Sequence, residues 1–272
     1  MGSESAVAGP RRRLEGKVVF ITGVAKLNSI GFATAIVCGE EGATLAIADI
    51  SEKTHHCAEE LCARGIVATS HTADLTKGDD VRRLADEILA EHGRIDVLVN
   101  NAGMAICGQE EDFTDFARLT EAQWDFGITI NLKTQFLVTR AIVPQMIARG
   151  SGRIVNIASV TGPLVANPEE SVYCAAKAGV LGLTRGLALD LARHGIGVNA
   201  VAPGWINTGS TTAGERAAAL NTPFGRAAHP EEVGKLVCFL ASDDASYITG
   251  QMIVIDGGNT IQEYKGPSEL YY

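Results

Sequence analysis

Short apolar runs recur along the chain, each closed by a glycine, a polar turn or an acid. Stretches of mixed polarity separate them. Lys17–Thr22, Ala43–Asp49, Ile66–Ser70, a run from Asp96 into the turn ending at Gly103, Ile154–Ser159, Gly197–Ala202 and Ile248–Asp256 all have this form. Most of their apolar positions are continuous rather than alternating, which is the pattern of strands buried on both faces. Between them the pattern predicts helices at Phe32–Glu41, at the amphipathic segment Asp79–His92 and from Pro230 to Ala241. A long helix opens at Thr120-Glu-Ala-Gln123, where the spacing is that of a capping box. It contains Asn131 and is expected to bend near Pro144. Another helix carries Tyr173 and runs to about Arg193. Strand and helix alternate without a Pro/Ser-rich linker, so a single α/β domain is expected over residues 15–259. A flexible lead over residues 1–14 and a tail over 260–272 flank it.

A formal net charge of −9 argues against a nucleic-acid partner, because phosphate backbones repel an acidic surface. Arg11, Arg12 and Arg13 form the only basic run, and it reads as part of the solvated lead. No run is long enough to suggest a membrane span or signal peptide, so no membrane partner is expected and the cytoplasm is the default location. In that setting the six cysteines are expected to be reduced. His55-His56-Cys57 with Cys62 offers no shared face for a metal, and no metal site is expected.

Three stretches carry chemistry. Lys17–Thr22, the turn Gly23–Gly31 and the following helix make a strand–turn–helix unit that suits a pyrophosphate. Small residues admit the anion to the backbone, and helix-start N–H groups attract it. Asp49 ends the second strand, where a carboxylate can accept hydrogen bonds from both ribose hydroxyls of an adenosine and repels a 2′-phosphate. Tyr173 and Lys177 are four residues apart on one helix face. An ammonium there favours the phenolate and brings an otherwise inert phenol toward the working range. Ser159 ends a strand and can hold a substrate oxygen beside Tyr173. Met104, Leu164, Val165, Trp205 and Phe224 are candidates for an apolar pocket.

Taken together, Thr22-Gly23 with Ile30-Gly31, Asp49, Asp74, Asn100-Asn-Ala-Gly103, Asn131, Ser159, Tyr173 with Lys177, and Pro203-Gly204 with Ile206 and Thr208 resemble the short-chain dehydrogenase/reductase family over residues 15 to 260. The resemblance implies a Rossmann-type, doubly wound parallel sheet of about seven strands. It implies an NAD(H) cofactor held by Gly23, Ser29, Ile30, Gly31, Asp49, Asp74, Leu75, Asn101, Ala102, Gly103, Tyr173, Lys177, Pro203, Gly204, Ile206 and Thr208. Asn131, Ser159, Tyr173 and Lys177 would be catalytic, acting on a small-molecule secondary alcohol or ketone. Asn131 would hold a relay water, and Lys177 would also bind the nicotinamide ribose. A homotetramer is implied as well. The glycine turn is two residues longer than the usual one, with Ser29 in place of the middle glycine. In that respect it resembles divergent enoyl-acyl-carrier-protein reductases. An enoyl reductase and a non-catalytic nucleotide sensor are therefore the alternative expectations. Ile261, Tyr264, Leu270, Tyr271 and Tyr272 make the tail aromatic enough to dock on a neighbouring subunit, whereas Lys265-Gly-Pro-Ser suits a frayed end.

Overall fold

The computed structural model describes residues 12–106, 109–110 and 113–266. Its strands are β1 (Val18–Thr22), β2 (Thr44–Asp49), β3 (Ala68–Thr72), β4 (Val97–Asn100), β5 (Ala105–Ile106), β6 (Gln109–Glu110), β7 (Gly152–Ile157), β8 (Ile196–Pro203) and β9 (Met252–Ile255). Seven of them form one sheet in the order β3-β2-β1-β4-β7-β8-β9, with every neighbouring pair parallel. β5 and β6 make a small antiparallel hairpin outside it. The continuous apolar runs are explained by burial on both faces. Val19 and Ile21 of β1 join the cluster that includes Phe32, Leu61 and Val237, while Phe20 joins Leu84, Ile142 and Leu191 on the other side. Helices α1 (Ile30–Glu40), α2 (Lys53–Ala63) and α8 (Pro230–Ala241) cover the first face. On the second lie α3 (Gly78–His92), α5 (Thr134–Arg149) and α6 (Ser171–Ala192). The order reverses between β1 and β4, and this switch point opens a crevice at the carboxyl ends of the strands.

Several expectations need correction. The lead does not extend to residue 14. Leu14 is fully buried, its N–H donates to the Glu41 carbonyl, and Arg13 faces Asp244 at 3.6 Å. Burying a leucine outweighs fraying there; Arg11 lies outside the described residues. The third strand is Ala68–Thr72 rather than Ile66–Ser70, because pairing with Leu45–Asp49 of β2 sets its limits. The last strand is only Met252–Ile255.

The long helix is interrupted at Asn131 rather than at Pro144. After α4 (Glu121–Ile128), which has the expected Thr120–Gln123 capping box, a π turn spans Thr129–Lys133; Pro144 sits inside α5. α6 is long and apolar enough to cross a membrane by composition. Of its apolar residues, Val172, Ala176, Val180 and Leu191 are buried inside the protein, whereas Leu189 is exposed. Cys38, Cys57, Cys62 and Cys238 are free thiols; Cys107 lies outside the described residues.

Candidate active site

The nucleotide end of the crevice is built from backbone. Gly23 follows β1 with φ +76°, and a Cβ there would lie 2.7 Å from the Ala102 Cα. A Cβ on Gly31, at the start of α1, would lie 2.6 Å from both Asn101 Nδ2 and the Gly23 carbonyl. Only glycine fits at either place, so the start of α1 presents bare backbone, as a pyrophosphate requires. Ser29 caps α1: its hydroxyl accepts from Phe32 N–H and donates to the Lys26 carbonyl. That proton is therefore committed within the turn, and Ile30 opens the helix. The longer turn is tied across the crevice by the Gly209 N–H, which donates to the Asn28 carbonyl at 2.8 Å.

Asp49 lies at the carboxyl end of β2, half-buried, with Oδ1 accepting from Ser51 N–H. Burial raises its pKa, while the Ser51 and Ile50 N–H groups and the Lys26 charge pull it back. Asp74 is held differently. Burial alone would raise its pKa, but hydrogen bonds from Thr76 and Lys77 outweigh that and hold it below the usual range. Leu75 beside it is buried. The Asn101–Gly103 turn is fastened to β1: Asn101 and Ala102 N–H groups donate to Thr22 Oγ1, and Asn101 Nδ2 donates to the Thr22 and Gly23 carbonyls. Pro203 ends β8 and Gly204 N–H reaches the Ile255 carbonyl. Ile206 is buried and bridges to Ala228, while Thr208 is engaged with Ser210 and Thr211.

The reacting groups sit where β7, α6 and the π turn meet. Tyr173 is nearly buried, with the Lys177 ammonium 5.5 Å from its ring centroid. Lys177 Nζ donates to the Ile157 carbonyl at 3.2 Å. Ser159 stands two residues past β7, its Oγ accepting from Thr161 N–H. Asn131 is fully buried in the π turn, accepting from Met104 N–H and donating to the Gly127 carbonyl. A π turn displaces one carbonyl from the helical ladder, a distortion that recurs at functional sites.

Three further residues escaped the sequence reading. Phe113 sets its ring edge against Tyr173 at 6.3 Å between centroids. Gln135, one turn after Asn131, shares the Ile157 carbonyl with Lys177. Glu170 precedes α6, and burial followed by the nearby Glu215 raises its pKa, against a hydrogen bond from Asn167. Among the pocket candidates, Met104, Leu164 and Phe224 are exposed, while Val165 and Trp205 are half-buried. None of the five is core.

A doubly wound sheet with a backbone cradle at its switch point, and a tyrosine–lysine pair facing the same crevice, defines a nicotinamide-nucleotide oxidoreductase. Comparison makes the class specific: the chain belongs to the short-chain dehydrogenase/reductase family. Residues 23–260 match the family description enoyl-(acyl carrier protein) reductase. Over 263 residues the chain is 41% identical to oxidoreductase UcpA of Escherichia coli (strain K12), covering 92% of this chain and 97% of that protein. It is 42% identical over 254 residues to 3-oxoacyl-[acyl-carrier-protein] reductase FabG of Thermotoga maritima, covering 92% and 100% respectively. The crystal structure of a gluconate 5-dehydrogenase from Burkholderia cenocepacia J2315, in complex with NADP and tartrate, superposes with a TM-score of 0.84 at 34% identity, covering 93% of this chain and 98% of that one. The chain is thus an oxidoreductase whose family binds a nicotinamide nucleotide.

Proposed function

We propose that this protein interconverts a secondary alcohol and a ketone with NAD(H), as a cytoplasmic homotetramer. The observation that carries the reaction type is the Lys177 ammonium 5.5 Å from the Tyr173 ring and bonded to the Ile157 carbonyl, two residues before Ser159. The nicotinamide nucleotide, when bound, supplies or accepts the hydride. Tyr173 gives the proton to the carbonyl oxygen in reduction and takes it from the hydroxyl in oxidation. Lys177 supports the phenolate by its charge and would also bind the nicotinamide ribose. Ser159 Oγ steadies the substrate oxygen, and Asn131 holds a relay water. The 3-oxo substrate in the name of the Thermotoga maritima relative supports a carbonyl substrate.

Preference for NAD over NADP rests on Asp49, whose carboxylate takes the place of a 2′-phosphate. The NADP in the gluconate 5-dehydrogenase complex favours the opposite cofactor, so the point needs direct assay. The description of the matched family, together with the long glycine turn, favours a second reading as an enoyl reductase. The spacing of Tyr173 and Lys177 speaks for the ketone reaction, because enoyl reductases typically space the pair more widely. A panel of secondary alcohols with NAD, alongside ketones and enoyl thioesters with NADH, followed by absorbance of the reduced cofactor, tests the proposal. Turnover confined to enoyl thioesters would replace the alcohol reading, and cofactor binding without any turnover would replace both.

A further inference from the structure

We propose that His71, Glu91 and His92 form a binding site for one divalent transition-metal ion of the zinc type, at the open edge of the sheet. Four of the six histidines, His55, His56, His71 and His92, lie on β3 or on the flanking helices α2 and α3; only His194 and His229 lie elsewhere. β3 is the outermost strand, and Thr69 and His71 share one of its faces. Glu87, Glu91 and His92 come from the last turns of α3, which covers that face.

The geometry converges. Nε2 of His71 and Nε2 of His92 both meet Thr69 Oγ1, at 3.2 and 2.8 Å. Glu91 Oε2 lies 3.7 Å from His71 Nε2, and the three donor atoms fall within 4.8 Å of one another. A tetrahedral zinc with bonds of about 2.0–2.1 Å needs its donors roughly 3.3–3.4 Å apart. The widest separation must close by about 1.4 Å, within reach of the half-exposed Glu91 side chain and of His92. The fourth position falls to Thr69 or a water. Two imidazoles and a carboxylate are the donor set of zinc rather than of calcium or magnesium.

A second feature supports the assignment. Glu87 Oε2 stands 3.9 Å from Nδ1 of His71, on the far side of the ring from Glu91. A carboxylate there favours a proton on Nδ1 and leaves the Nε2 lone pair facing the other donors, as in carboxylate–histidine–metal triads. The His55-His56-Cys57 segment does not take part: His55 is spent on Ser70 and Thr72, and Cys57 is on the buried face of α2. The ion would pin β3 to α3, just before the chain enters Asp74 and Leu75 at the nucleotide crevice. It would be a structural clip, remote from Tyr173.

The test uses the purified full chain after removal of metal by a chelator. Cobalt(II) titration should give the visible absorption of a tetrahedral site at one equivalent per chain. Zinc at a hundredfold excess over its Kd should raise Tm by about 5 °C. His71→Gln risks misfolding because His71 is nearly buried, so the deciding variants are the more exposed His92→Gln and Glu91→Gln. Both should lose the cobalt absorption and the Tm shift while keeping the metal-free Tm, and His56→Gln should keep both signals. Absence of a tetrahedral cobalt spectrum, or a spectrum unchanged in His92→Gln, would overturn the site.

Discussion

Removing the charge of Asp49 should change cofactor choice more than it changes folding. Asp49→Asn keeps the shape and can still accept from Ser51 N–H, so the end of β2 should stay in place. In the wild type, a carboxylate about 4 Å from a phosphate charge costs about 4 kcal/mol per unit charge at an effective dielectric near 20. Lys26, whose charge already acts on Asp49, attracts the phosphate and offsets part of this. We expect at least a tenfold preference for NAD in kcat/KM, about 1.4 kcal/mol. In Asp49→Asn the repulsion is gone, and efficiency with NADP should rise at least about tenfold. Charge-assisted bonds to the ribose hydroxyls are also lost, each about twice as strong as a neutral one, so efficiency with NAD should fall about tenfold. The sign with pH follows from the raised pKa of Asp49. The carboxylate is charged above that pKa, and NAD selectivity should weaken as pH falls through it. Steady-state kinetics with both cofactors across pH decides the matter. Equal efficiencies in the wild type, or a ratio unchanged in Asp49→Asn, would refute the reasoning.

Gly31→Ala should cost about 1–3 kcal/mol of stability and weaken cofactor binding, because its Cβ would overlap backbone-held Asn101; thermal melts and cofactor titration read both effects. At the amino ends of the strands, away from the crevice, Asp96 stands just before central β4 and accepts from Val18 N–H, Arg94 and Arg149. Burial would raise its pKa, but these donors outweigh it and hold it low. The stability it contributes is full above the unfolded pKa of about 3.9 and is lost as pH falls through the lower folded value. Arg149→Gln should therefore cost about 1–2 kcal/mol at pH 7 in urea melts, a penalty that shrinks toward pH 3. Deleting residues 260–272 tests the tail. Its described part has Gln262 on the Asn221 carbonyl of its own chain and Ile261 exposed. If it helps to form the proposed tetramer, light scattering should show smaller particles or KM for substrate should rise; an unchanged tetramer, KM and Tm would dismiss that role.

The strands were legible because parallel strands buried on both faces leave continuous apolar runs, and Val18–Thr22 and Thr44–Asp49 fall where those runs lie. Glycine positions were legible for a steric reason: Gly23 and Gly31 stand where no Cβ fits. Tyr173 and Lys177 were readable because four residues on a helix fix a shared face. What the sequence hid depends on partners distant along the chain. Leu14 looked like tail but finds a buried slot beside Glu41. The π turn at Asn131 answers to Met104 and Gly127 and leaves no local signature, whereas Pro144, the visible breaker, sits inside α5. Phe113 reaches Tyr173 from sixty residues away, which no spacing rule captures.

Tyr173→Phe tests most directly whether Tyr173 transfers the proton. Substitution removes one oxygen and leaves the ring against Phe113 and Lys177. With the best secondary alcohol and NAD, kcat should fall at least about 10²-fold while the Kd for NADH, read by fluorescence, stays within about twofold. A Tyr173→Phe enzyme that binds NADH normally and keeps most of its kcat would contradict the account.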